Sequence, residues 1–271
     1  LEEAKKGEAQ RFQYESECTN GVRWFESTLT PVRDRSGNVR SFIRISRDIT
    51  EARSSSEKIK ETLGKLTETF EETVHSLGSM LEKRDPYTAG HQERVSTVAA
   101  AIAEEMGLSE DQVTGIRIGA LIHDTGKINI PAEILSKPGR LTDIEFDLIR
   151  SHAEIGYQIL KDIKFPWPVA QIAHEHHERM DGSGYPRGLS GESIMLEARI
   201  LAVADVVEAM ASHRPYRAAK GIDEALDEIE KNKGHLYDAK VVEACLTLFR
   251  TKGLELDAKG SRPEIGLAAK S

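Results

Sequence analysis

The sequence predicts a mainly α protein: an all-helical bundle, reached through a helical linker, behind a small antiparallel β-meander. Three observations predict this. Residues 11–46 hold three runs of strand-type residues divided by turn residues. Hydrophobic spacing changes to the helical period after residue 50, and from about residue 65 every periodic segment is helical.

The strands read as "RFQYESE", "VRWFESTLTPV" and "VRSFIRIS", with Asn20-Gly21 as a type I′ turn signal and Ser36-Gly37-Asn38 as the second turn. The pattern stops in "SRDITEARSSSEKI". Ile59, Leu63, Leu66, Phe70, Leu77 and Met80 then follow at spacings of 4, 3, 4, 7 and 3, close to a heptad seam, which predicts a coiled-coil homodimer. Ser109 with Gln112 and Thr142 with Glu145 are capping-box signatures that start two further helices. "PVAQIAHEHHERM", "LEARILAVADVVEAMAS", "GIDEALDEIEKN" and "DAKVVEACLTLFRTKG" complete the helical set, and the polar, aperiodic "LDAKGSRPEIGLAAKS" is expected to be a disordered tail.

A chain of 271 residues has room for one large unit and a smaller one. Its 39% hydrophobic and 30% charged residues suit a soluble globular protein, and no run nears the ~18 apolar residues that cross a bilayer. Cys18 and Cys245 lie far apart, residue 1 is Leu, and no secretory leader follows, so the chain reads as a piece of a longer cytoplasmic polypeptide. A net charge of −8 disfavours polymeric nucleic acid as a partner but leaves room for a small phosphorylated ligand held by local cations or metals.

Candidate metal ligands are spread over the helical part. His91 opens a helix, His123 and Asp124 end one, His152 follows "IEFDLIRS", His176 and His177 lie near another helix end, and Asp205 interrupts the apolar run "ILAVADVVEAM". A carboxylate among apolar neighbours needs a cationic partner, so Asp205 requires either an arginine or a metal. In "HDTGK", His123 and Asp124 can bind one cation from adjacent positions while the second carboxylate oxygen reaches another. Gly126 is expected to permit a sharp turn, and Lys127 adds positive charge. Consecutive His176 and His177 point about 100° apart on a helix and can meet one metal only where the backbone opens. Glu178 and Asp181 would fix the imidazoles or tie down the Gly182–Pro186 loop. His174 reads as a surface histidine.

"HDTGK" at 123–127 and "HHERMDGSGYP" at 176–186 resemble the HD superfamily of metal-dependent phosphohydrolases, and more narrowly its HD-GYP branch. Flanking similarities are "RDPYTAGHQERV", "ARILAVADVVEAM", "RPYR" and "GHLYDAKVV". The resemblance implies an HD-type bundle that hydrolyses cyclic di-GMP. It implies two divalent metals, iron or manganese: one on His91, His123, Asp124 and Asp205, the other on Asp124, His152, His176 and His177. Asp124 and Lys127 would act in catalysis, and Lys127, Gly184, Tyr185, Pro186, Arg214 and Arg217 would contact substrate. Some members carry a Glu four residues before the first helical His and hold a third metal. Tyr87 stands there in this chain, which favours two metals and linear pGpG over GMP as product.

"NGVRWFESTLTPVRDRSGNVRSFIRISRDITEARSS" resembles the last strands of a PAS sensor domain, and no haem or flavin is inferred because only part of that fold is present. The expected layout is a partial PAS unit over 1–50, a helical linker over 51–83 running into the phosphohydrolase domain over 65–252, and a polar tail over 253–271. Two alternatives remain: hydrolysis of another cyclic dinucleotide such as cyclic GMP-AMP, and a regulatory module that binds without cleaving.

Overall fold

The computed structural model describes residues 8–19, 21–83, 90–137, 139–212 and 221–256. The chain divides into two compact units, Leu1–Phe70 and Glu71–Ser271.

In the first unit β1 (Gln10–Cys18), β2 (Gly21–Arg33) and β3 (Val39–Asp48) form an antiparallel meander in sequence order, as predicted. Registers run from Gln10↔Leu29 to Cys18↔Gly21 and from Phe25↔Asp48 to Arg33↔Val39, with a bulge at Val32/Arg33. The residues of "DIT" fasten the sheet to the helix that follows. The Thr50 hydroxyl accepts from the Trp24 amide (2.8 Å), the Ile49 amide donates to the Trp24 carbonyl (2.8 Å), and the Arg53 guanidinium lies 3.6 Å over the Trp24 ring.

Helix α1 (Thr50–Glu82) runs 33 residues, and the predicted seam is visible on it: Ile59, Leu63, Leu66, Leu77 and Met80 are all at least half exposed. Val74 and Gly78 are buried on its last turns, where a Cβ on Gly78 would come within 2.7 Å of the Leu121 carbonyl.

The second unit is helical throughout, borne out from the sequence in type and order: α2 (His91–Glu105), α3 (Glu110–Ile122), α4 (Ala132–Leu135), α5 (Asp143–Leu160), α6 (Val169–Glu175), α7 (Leu196–Ala211), α8 (Ile222–Lys231) and α9 (Ala239–Leu246). Both capping boxes form, at Ser109–Gln112 for α3 and Thr142–Glu145 for α5. Asp238 caps α9 by accepting from the amides of Lys240 (2.8 Å) and Val241 (3.3 Å). Aliphatic residues of α2, α3, α6, α7, α8 and α9 make one core. Leu254 and Leu256 also pack against it, inside the stretch expected to be an aperiodic tail. Residues 257–271 of that tail, along with Tyr87, Arg214 and Arg217, lie outside the described residues. Among the described residues no helix is long and apolar enough to cross a membrane.

Candidate metal centre

The core is not uniformly apolar. His123, His152 and His176 rank among its largest fully buried side chains, beside aliphatic residues such as Ile116 and Ile200. Five helices deliver the site: His91 is the first residue of α2, His123 and Asp124 follow the last turn of α3, His152 lies on α5, His176 and His177 follow the end of α6, and Asp205 lies on α7. Among the described residues, three groups have one donor atom from each member within 4.8 Å of the others, and each could hold a metal ion: His91, His123 and Asp205; His123, Asp124 and His176; and His152, His176 and His177. All seven residues named by the resemblance occur in these groups, and Asp124 lies between two of their histidines. One of its oxygens lies 3.5 Å from His123 Nε2 and the other 3.4 Å from His152 Nε2.

The backbone fixes which nitrogen each ring presents. Nδ1 of His123, His152 and His176 lies 2.7, 2.6 and 2.7 Å from the carbonyls of Ala120, Ile149 and Ala173, each three residues back. A carbonyl has no proton to give, so Nδ1–H donates and a neutral ring keeps Nε2 as a bare lone pair. Burial depresses the pKa of His152 and, more strongly, of His176, which favours the neutral form of both rings. Yet their Nε2 atoms face one another at 3.4 Å. Two lone pairs at that distance repel and cannot hydrogen-bond. A cation between them resolves this, and a donor set of imidazole and carboxylate without thiolate suits a hard-to-borderline divalent ion.

Electrostatics agree with that reading. Burial alone would raise the Asp124 pKa, but the charge of Lys127 beside it holds it well below the ordinary carboxylate range. Lys127 Nζ donates to Asp124 at 2.6 Å. Burial also depresses His177, with His152 adding to the effect. His91 differs. Burial would lower it, but hydrogen bonds to Asp205 and Glu208 and their charges raise it to about 9, so an ion taking up its Nε2 would displace a proton there.

Glu208 was not singled out in the sequence. It is 1% exposed and its carboxylate bonds His91 Nδ1. The signal was there: it follows Asp205 by three residues, on the same face of a helix whose other residues there are apolar.

Four expectations need correction or narrowing. Gly126 lies in the 3-10 turn Thr125–Asn129 that follows α3, with no positive φ, and it also permits close approach, for a Cβ there would lie 1.9 Å from the His152 carbonyl and 2.5 Å from the Gly156 amide nitrogen. His174 is not a surface residue: it is 6% exposed, its Nε2 lies 2.8 Å from Glu154, and its ring stacks on Tyr157 at 4.5 Å. Helix α6 stops at Glu175, earlier than "PVAQIAHEHHERM" suggested, which opens the backbone where His176 and His177 converge. Glu178 and Asp181 bind the loop rather than the imidazoles. Glu178 accepts from the amides of Arg187 (2.8 Å) and Leu189 (2.9 Å), and Asp181 from the amide and hydroxyl of Ser183 (2.9 and 2.7 Å).

That loop lies over the histidines. The Tyr185 ring sits 4.7 Å from His177 and 6.4 Å from His152, and its amide donates to the His177 carbonyl (3.3 Å). Burial pushes the Tyr185 phenol pKa up, so it remains protonated. Gly184 is held so closely that a Cβ would lie 2.4 Å from Glu178 Cα, and Pro186 is exposed beyond it. Arg150, also unforeseen, places its guanidinium 5.3 Å over the Tyr185 ring.

Comparison with known proteins decides the family: the model described as "HD domain" matches residues 75–241. The chain belongs to the HD-domain family. A second model, "PAS fold", matches residues 1–54 of this HD-domain chain, so the resemblance read from the sequence is borne out for both parts. Similar curated proteins include the cyclic di-GMP phosphodiesterase response regulator RpfG of Xanthomonas campestris pv. campestris, 44% identical over 197 residues that cover 72% of this chain and 52% of that protein. A cyclic di-GMP phosphodiesterase of Thermotoga maritima is 49% identical over 179 residues, 65% of this chain and 49% of that protein. The 3′3′-cGAMP-specific phosphodiesterase 3 of Vibrio cholerae is 41% identical over 159 residues, 59% of this chain and 35% of that protein. The chain therefore spans about half the length, or less, of these relatives. The crystal structure of a cyclic GMP-AMP phosphodiesterase of V. cholerae (V-cGAP3) shares the fold, with a TM-score of 0.52 and 22% identity over 66% of this chain and 48% of that one.

Proposed function

We propose that this chain hydrolyses a 3′,5′-phosphodiester bond of cyclic di-GMP to give linear pGpG. The observation that carries the reading is the pair of facing Nε2 lone pairs of His152 and His176 beside Asp124. In this reading His91, His123, Asp124 and Asp205 hold one divalent ion and Asp124, His152, His176 and His177 the other, iron or manganese. When bound, the ions lower the pKa of a water and screen the anionic phosphate.

The chain's own residues do the rest. Asp124 would serve in holding both ions, and Lys127, fixed on it at 2.6 Å, adds positive charge where the equatorial phosphate oxygens gather negative charge. Water oxygen bonds to phosphorus as the bond to the 3′-oxygen breaks, and that oxygen leaves with a proton. The Gly184–Pro186 loop forms one wall of the substrate site, and Arg214 and Arg217 neutralise phosphate. With Tyr87 at the position of a third-metal carboxylate, cleavage stops at pGpG. The partial PAS unit (1–50) acts through the linker (51–83), which pairs two copies along the exposed seam, on the phosphohydrolase domain (65–252), in the cytoplasm.

The V. cholerae relative named for cyclic GMP-AMP supports a second reading, in which that dinucleotide is the substrate. Chromatography of the products of each cyclic dinucleotide with Mn2+-loaded protein separates the two. Release of pGpG from cyclic di-GMP, lost in Asp124→Asn, is expected. Binding with no product from either dinucleotide would overturn hydrolysis and leave a regulatory binding module.

A further inference from the structure

His123, His152 and His176 share one orienting device, a carbonyl three residues back in their own helix. His91 is held differently: it is the first residue of α2, and its Nδ1 meets the carboxylate of Glu208.

We propose that Glu208 is the positioning residue of the centre: its carboxylate accepts Nδ1–H of His91 and thereby turns the His91 Nε2 lone pair toward the ion shared with His123 and Asp205. The proposal rests on reading His91 as a metal ligand. His91 Nδ1 contacts Glu208 Oε2 while its Nε2 lies 3.3 Å from Asp205 Oδ1, so one ring spans two carboxylates three residues apart on α7. The other Glu208 oxygen is held by Arg94 through Nε (2.7 Å) and Nη2 (2.6 Å) and by the Ser212 hydroxyl (2.6 Å). A carboxylate fixed by three partners has little rotational freedom, and it passes that rigidity to the imidazole it binds. It also makes the ring a stronger electron donor.

Arg94 lies one turn after His91 on α2, and Ser212 closes the last turn of α7, so the device joins these two helices at the metal centre. Asp205 and Glu208 consequently divide the work that two similar carboxylates could share: Asp205 faces the ion, and Glu208 faces the ligand.

The test is Mn2+ titration of the metal-free full chain by calorimetry, with electron paramagnetic resonance of the loaded protein. Wild type is expected to take two ions and to give a spin-coupled spectrum. Glu208→Ala should weaken one of the two sites by about 10- to 100-fold. At sub-saturating Mn2+ it should give the six-line signal of an isolated ion, with the other affinity unchanged. Glu208→Gln, which keeps the shape but not the charge, should fall between the two proteins. Should Glu208→Ala fail to fold, Glu208→Gln makes the same comparison. Two ions at wild-type affinity in the folded variants, or equal weakening of both sites, would overturn the role of Glu208. Wild-type protein that takes up no Mn2+ would overturn the metal reading itself, and this proposal with it.

Discussion

Gly126 shows how much one hydrogen atom can decide. Its α-carbon passes so close to α5 that a methyl group would overlap the His152 carbonyl and the Gly156 amide, both backbone atoms that cannot swing aside. Gly126→Ala should therefore push α5 away and carry His152 with it. Overpacking of this kind costs about 1–3 kcal/mol, and the variant should lose stability in urea and bind Mn2+ more weakly at the His152 cluster. Unchanged stability and metal affinity would show that the contact is not rigid. A different residue-scale prediction concerns the thiols. Burial raises the Cys245 pKa to about 12, while Cys18 is exposed, so native protein at pH 8 should react with one equivalent of a thiol reagent per chain. His174 marks a limit of sequence reading at this scale. Nothing local separates a histidine stacked on Tyr157 from a solvated one, because the partner ring comes from another helix.

At the scale of elements, local chemistry is decisive where the partners are neighbours. Both capping boxes were legible because a side chain and the amide it satisfies lie three residues apart. Thr142→Ala should cost about 1 kcal/mol by removing the acceptor for the Glu145 amide, readable as a lower urea midpoint at unchanged slope. The Lys137 hydrogen bond, followed by bonds from Thr142, lowers the Glu145 pKa to about 2. Its folded value lies below its ordinary value of 4.5, so its contribution is fully present above that pH and fades as pH falls toward 2. Stability of wild type and Glu145→Gln should therefore converge between pH 4.5 and 2. A helix end near His176 and His177 was legible, but its exact place at Glu175 was not, because the loop that draws the chain away is tied by Glu178 to amides nine and eleven residues on.

For the whole molecule, the buried histidines make metal and stability inseparable. Neutral Nε2 atoms facing one another at 3.4 Å oppose folding unless an ion relieves them. Metal at about 1,000 times its dissociation constant adds about 4 kcal/mol per site, a rise in Tm on the order of 10 °C for a domain of this size. Exhaustive chelation should reverse that rise, and equal Tm values with and without Mn2+ would remove the metal reading. The exposed seam of α1 predicts association as well. Leu63→Lys with Leu66→Lys should convert dimers to monomers in light scattering, and an unchanged mass would exclude this face.

The sequence by itself determined the three strands, the main helices, the apolar seam and the two capping boxes, because each is written in short-range periodicity or in a local motif, while the set of candidate ligands came from the resemblance to a family. Tertiary structure alone decided the rest. It chose which nitrogen each histidine presents, brought Glu208 of α7 onto His91 of α2, and made Gly126 a point of close contact with α5 as well as part of a turn. These depend on distances of a few tenths of an ångström between residues up to 117 positions apart, and such distances are set by how helices pack, not by what any one of them prefers to be.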